Sequence, residues 1–207
     1  MMKISTIQTM GLDAGNASLD LVNSGYGMVP GEIVERLHSY TDFLTLACRH
    51  GIIHQQTSIT LQDEANRNPE LAANALNEVK YVRKVLYTIF STLANRGKID
   101  QEVLATFNQY LADTLAHRKI SISGVKLFRD WSVQDGDLSQ VLRHYVLSAY
   151  EILTGSKNIF IKQCGRCTWL FLDESKNHRR KWCDMKVCGS SDKAKRYYIK
   201  RKQLGQQ

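Results

Sequence analysis

The chain has 207 residues, of which 43% are hydrophobic, with 28 Lys and Arg against 20 Asp and Glu. That length and apolar content exclude a disordered tail or a disulfide-stapled miniprotein, and allow one fair-sized domain with a small appendage. The net charge of +8 is unevenly spread: residues 156–207 carry 14 basic and 4 acidic side chains (+10), whereas residues 1–155 carry 14 and 16 (−2). A neutral body with a cationic end is the pattern of a protein that meets a polyanion.

The best uncharged apolar stretch, Val85 to Asn95, is too short and too polar to span a bilayer. The opening Met1-Met-Lys-Ile-Ser-Thr6 lacks the apolar core of a signal peptide, so a cytoplasmic protein without a membrane partner is expected. In that compartment clustered cysteines hold metal more often than they form disulfides.

In chain order, Asn16, Asp20 and Asn23 recur at steps of four and three among Leu19, Leu21 and Val22. On a helix they share a face, which is odd for a segment otherwise ready for burial. Two readings stand: a pocket for a small polar ligand, or capping bonds to a neighbouring loop or hairpin. Trp131 and Arg129 are further candidates for ligand contact. Thr41 to His50 reads as a short helix ended by Gly51, with Cys48 inside it as a packed residue or a reactive thiol. Only Pro30 and Pro69 interrupt the chain, as suits a helix-rich protein.

Asn68-Pro69-Glu70 is a helix start, with Asn as cap and Pro in the first turn. From there Ala72, Ala75, Val79, Val82, Leu86, Ile89 and Leu93 form one stripe, predicting a helix of about seven turns closed by Asn95-Arg96-Gly97. The stripe is either a coiled-coil contact in a homodimer or a buried seam. Asp100 predicts a second helix, to about His117, with Val103, Leu104, Phe107, Leu111 and Leu115 inward. Residues 120–122 and 125–131 around Ser123-Gly124 predict a β-hairpin. Asp137 opens a further helix, Leu138 to Leu153, and Gly155 to Asn158 marks a boundary. The fold class expected is therefore mainly α with a small β-hairpin or sheet (α+β): a helical unit over 1–155, then a small module over 156–207.

That module contains Cys164-Gly-Arg-Cys167 and Cys183-Asp-Met-Lys-Val-Cys188, two thiol pairs separated by fifteen residues. Four thiols in two close pairs are the ligand supply of one tetrahedral ion, and zinc is the usual occupant, with iron as the competitor. A shell filled by sulfur leaves no position for a catalytic water, so the zinc is structural. His178 is a spare donor. Residues 159–164 and 168–172 read as strands around the first pair, and His178 to Cys188 as a helical stretch holding the second. About fifty residues cannot bury enough surface to fold alone; structural zinc supplies roughly 10–16 kcal/mol to such modules.

Trp169-Leu-Phe-Leu-Asp-Glu-Ser-Lys-Asn177, Arg179-Arg-Lys-Trp-Cys183 and Cys188-Gly189 resemble the CGNR-type zinc finger of bacterial transcription regulators. Ala17-Ser-Leu-Asp-Leu-Val-Asn-Ser24 is similar to the opening motif of the ABATE region that precedes such fingers. The resemblance implies a regulator whose N-terminal half senses a stress-related ligand and whose finger binds DNA. One departure matters: the family name implies Asn-Arg after Cys188-Gly189, and this chain has Ser190-Ser191.

The run from Asp192 to Lys202 reads as a helix with Lys193, Arg196 and Lys200 on one face, and with Ser190, Ser191 or Asp192 as its cap. Together with Lys176, Arg179, Arg180 and Lys181 these cations are the expected DNA contacts, of the salt-sensitive backbone kind. Some of the nearby charge, from Arg166 and Arg179 to Lys181, would offset the anionic metal site instead. A zinc-stabilised adaptor for protein or RNA is the alternative. No Gly-rich phosphate loop, nucleophile–base pattern or open metal site points to an enzyme.

Overall fold

The computed structural model describes residues 5–27 and 32–204, with the side chains of Arg196, Lys200 and residues 202–204 left aside. Pro30 lies outside the described residues. Among the described residues seven α-helices and two antiparallel hairpins follow in the order α1 (Ala17–Asn23), α2 (Tyr40–Arg49), α3 (Gln55–Arg67), α4 (Pro69–Ala94), α5 (Gln101–Ala116), β1 (Arg118–Ser123), β2 (Lys126–Trp131), α6 (Gln140–Thr154), β3 (Ile161–Gln163), β4 (Leu170–Leu172) and α7 (Ser190–Leu204). The α+β class is as the sequence implied.

The axis of the fold is α4. Pro69 in its first turn is preset for helix, and its stripe, Ala75, Val79, Val82, Leu86 and Ile89, is buried together with Leu76, Val85 and Phe90. Around it pack α1, α2, α3, α5 and β3. The stripe is thus the seam of a core rather than a coiled coil. Truncating Leu86, fully buried, would cost about 2–5 kcal/mol by the usual transfer and cavity terms. The second inner layer is α6, whose Tyr145 is fully enclosed and meets His50 through its hydroxyl at 2.9 Å.

Several expectations are corrected. α3 carries only two buried residues, Leu61 and Ala65, so its apolar period is too thin to announce it. On α5 Phe107 and Thr114 are buried and Val103 and Leu111 pack half-buried against the core, whereas Leu115, expected inward, is 46% exposed. That helix lies at the rim and needs only a narrow stripe. Asp137 does not cap α6 directly; it accepts from the Ser139 amide at 2.9 Å and pairs with Arg143, holding the loop before the helix. Residues 178–184 form no helix, because their backbone is drawn out to bring Cys183 to the first thiol pair; a π-turn (Met185–Gly189) follows and runs straight into α7. Cys48 is half-buried, packed against the core.

Candidate metal centre and nucleic-acid surface

β3 and β4 pair antiparallel, Ile161 opposite Leu172 and Gln163 opposite Leu170, and the turn between them is the first thiol knuckle. The Cys164 amide donates to the Trp169 carbonyl at 2.9 Å, closing the knuckle, and the Gly165 amide donates to the Lys181 carbonyl at 3.0 Å, tying in the second strand of ligands. A β-carbon on Gly165 would stand 2.9 Å from the Trp182 ring, so glycine is required by close approach. The second pair is set by Asp184, whose carboxylate accepts from the Lys186 amide at 2.6 Å and starts the π-turn carrying Cys188.

These four cysteines are buried, unbridged, and have all sulfurs within 4.8 Å of one another. Cys167 and Cys183 stand 3.6 Å apart, Cys183 and Cys188 3.6 Å, and Cys188 and Cys167 3.8 Å. Disulfides would need about 2.05 Å. A tetrahedron with metal–sulfur bonds of about 2.3 Å has edges of about 3.8 Å, so the cage fits zinc. Crowding also perturbs the thiols: hydrogen bonding from Cys167 and the other thiols pushes Cys164 down, and hydrogen bonding with Cys164 pushes Cys183 and Cys188 up. Four such groups ionise together only around a cation. The chain holds one structural zinc through this set, packed by Phe171, Trp169 and Trp182.

His178 is not a fifth donor. Its ring stacks on Phe160 at 3.6 Å and its Nδ1 meets the Asp173 carbonyl at 2.7 Å, from a backbone with φ of +48°. Arg180 also differs from expectation. Its guanidinium donates to the carbonyls of Trp182, Cys183 and Asp13 and lies 4.5 Å from the Phe171 ring centroid. It clips the finger together from inside, and its charge is spent there.

Sequence reasoning missed Asp173. Its side chain is fully buried and accepts from Lys162 Nζ at 2.6 Å, from Ser175 Oγ at 2.6 Å and from the Arg180 amide at 3.0 Å. Burial alone would raise this carboxyl, but Lys162 and Ser175 outweigh it and hold it down to about 2. The available signal was an Asp followed two residues later by Ser, a turn-forming pair at the end of a strand.

Besides Arg180, a set of buried or half-buried hydrogen bonds bolts the finger to the body. Asn23 donates through Nδ2 to the Leu170 carbonyl and accepts the Leu170 amide through Oδ1, both at 2.9 Å. Leu172 donates its amide to the Ala14 carbonyl at 2.7 Å, Trp169 Nε1 donates to the Tyr26 carbonyl at 2.8 Å, and Thr168 donates to the Gly27 carbonyl at 3.1 Å. Asn16 is the N-cap of α1, accepting from the Ser18 amide at 2.9 Å and from Ser148 Oγ at 3.0 Å. Asp20, 3% exposed, accepts from the Ala14 amide and meets His50 Nε2, each at 3.2 Å. These three polar residues are therefore engaged within the protein: Asn16 and Asp20 inside the body, and Asn23 alone at the seam between body and finger. Trp131 and Arg129 lie elsewhere, on the β1–β2 hairpin, where Trp131 stacks beside His144.

Of the expected DNA contacts, Lys176, Arg179, Lys181 and Lys193 are exposed and make no ion pair among the described residues. The side chains of Arg196 and Lys200 lie outside the described residues, on a helix whose backbone is continuous. The predicted caps, Ser190 to Asp192, all lie within α7 rather than before it, and the Ser190 amide already donates back into the π-turn. The cap is instead Asp184, whose carboxylate accepts from the Lys186 and Val187 amides at the start of the π-turn.

The residues from 161 to 201 match the family model described as the CGNR zinc finger, and those from 15 to 156 match ABATE, described as "putative stress-induced transcription regulator". No curated protein matches the chain. No helix of the described residues is long and apolar enough to cross a membrane. Neither description is that of an enzyme. With the ABATE model spanning more than half of its length and a four-thiol zinc site behind it, the chain belongs to the ABATE family and carries a CGNR zinc finger.

Proposed function

We propose that this protein is a zinc-dependent regulator that grips DNA with residues 156–207 and is governed by a small ligand acting on residues 1–155. The observation that supports this reading is the sorting of charge in the finger. The thiols, Asp173 and Arg180 are turned inward, whereas Lys176, Arg179, Lys181 and Lys193 face solvent without acidic partners. Cations left free on a rigid support are what a phosphate backbone needs. Arg196 and Lys200 lie further along the α7 backbone, and Ser190-Ser191 remove one cation where the family name implies Arg.

In the same proposal Asn16 and Asp20 are where a small polar ligand acts on α1 and its cap, and Asn23 is the joint through which the body governs the finger. A ligand that shifts α1 pulls on Leu170 through Asn23 and so moves the knuckle. The test is gel retardation of duplex DNA by the zinc-loaded chain. Arg179→Glu with Lys181→Glu should abolish the shift, and Arg180→Glu should instead lower zinc retention. Retention of single-stranded RNA with no duplex shift would replace this reading with the adaptor one.

A further inference from the structure

The β1–β2 hairpin is built to be covered, yet from Lys119 to Asp130 none of its residues is buried. Its register places Ile120 opposite Arg129, Ile122 opposite Leu127 and Arg118 opposite Trp131, so these six share one face. The other face carries Lys119, Ser121, Ser123, Lys126, Phe128 and Asp130. Four large apolar side chains, Ile120, Ile122, Leu127 and Trp131, lie on the first face against Phe128 on the second, a bias that suits the first face to burial. Here Ile120 is 74% exposed, Ile122 68% and Leu127 69%. A lone two-stranded ribbon is marginal in water, and apolar strands left open are sites of pairing. The hairpin is also cationic: Arg118, Lys119, Lys126 and Arg129 face one acid, Asp130, and neither Lys126 nor Arg129 has an ion-pair partner among the described residues.

Beside the root of this hairpin lies a groove of about 770 Å³ between α4, α5 and the loop 134–139. Its apolar wall includes Leu71, Ala75, Tyr81, Tyr110 and Leu138. Its charged lining is Glu78, Asp135 and Asp137 against Arg143, three carboxylates to one guanidinium. Asp137 is held by Arg143, which leaves Glu78 and Asp135 without ion pairs among the described residues. The groove is thus amphipathic and acidic where the hairpin is amphipathic and basic. Both features belong to one chain and meet at one place, His117 leading into β1 and Gln134 following β2.

We propose that β1–β2 is an arm that docks into the α4–α5 groove of a second copy of this chain, in a two-fold exchange. Reciprocity follows from the placement: an axis near the hairpin root lets each arm reach the other copy's groove, giving an isologous, closed dimer. The exposed apolar side chains of two arms and two grooves would bury on the order of 1,000 Å², the lower bound for a specific interface. Opposite charge at the contact sets its register and speeds association.

Sedimentation velocity on the zinc-loaded full chain across a dilution series tests this. The unaltered chain should sediment as a dimer that dissociates on dilution. An arm variant, Lys126→Glu with Arg129→Glu, and a groove variant, Glu78→Lys with Asp135→Lys, should each be monomeric, with unchanged far-ultraviolet dichroism and zinc content. Combining all four changes in one chain should restore the dimer. Either a chain that is monomeric throughout, or groove variants that dimerise as before while the arm variant does not, would overturn the proposal; the second result would mean that arms pack on arms.

Discussion

Two hairpins of the same topology meet opposite fates in this molecule. β1–β2 has six residues per strand, a tight turn at Gly124 with φ of +59°, and an alternating apolar face, yet it stands in solvent. β3–β4 has three residues per strand and is almost wholly enclosed: Ile161, Leu170, Phe171 and Leu172 are all buried. Strand length and pattern therefore do not decide which ribbon is rigid. What decides it is how many independent anchors reach the ribbon from outside, and the short one has a metal cage, a buried carboxylate and an asparagine clamp.

The strongest way to break that contrast is to remove the metal. Cys183→Ser should take bound zinc from one ion per chain to none, and with it an interaction of roughly 10–16 kcal/mol. Near-ultraviolet dichroism from Trp169 and Trp182 should collapse, while the helical signal of α1 to α6, which has its own core, persists. A finger equally ordered without zinc would show that the other anchors suffice. Next comes the clamp: Asn23→Ala leaves the buried Leu170 amide and carbonyl unpaired, a loss of about 3 kcal/mol. Differential scanning calorimetry should find the midpoint lowered by about 6–10 °C, with zinc still bound.

Acid separates the two hairpins. At the root of the long one, burial and then the Arg118 charge hold His144 down at about 4, below its ordinary 6.5. The unfolded chain takes up that proton first, so the stability it confers is intact above pH 6.5 and is lost as the pH falls towards 4. The loss is about 2 kcal/mol, and His144→Phe should flatten this part of a stability profile. Asp173, at the short hairpin, is depressed in the opposite sense of charge. Its contribution is present above about pH 4 and is lost as the pH falls through about 2, so Asp173→Asn should lower stability above pH 4 and flatten the profile in that lower window. The smallest effect belongs to the exposed turn. Val125→Ser, at a residue 97% exposed, should change monomer stability by less than about 0.5 kcal/mol in urea unfolding.

What was legible in the chain tracks how locally each feature is encoded. α4 announced itself because its cap, its proline and its stripe lie within one stretch of sequence, and the thiol spacing was equally local. α3 did not, since two buried residues make no period. Asp173 and Arg180 were misjudged for a shared reason: both lie in a polar, basic run, and only the folded finger turns one into a buried acceptor and the other into a clip for three carbonyls. The role of Asn23 was ambiguous because its partner, Leu170, lies 147 residues away. The straight passage from π-turn to helix at Ser190 was hidden too, since serines ordinarily mark a helix start.

The central claim is that one zinc ion orders a cationic finger that grips DNA. Fluorescence anisotropy of a labelled duplex, titrated with zinc-loaded and with chelator-stripped protein over a series of salt concentrations, tests it most directly. The account predicts that log Kd rises linearly with log salt with a slope of about 4, as four or so phosphate contacts require, and that stripped protein does not bind. Binding that ignores salt, or that survives loss of the metal unchanged, would contradict it.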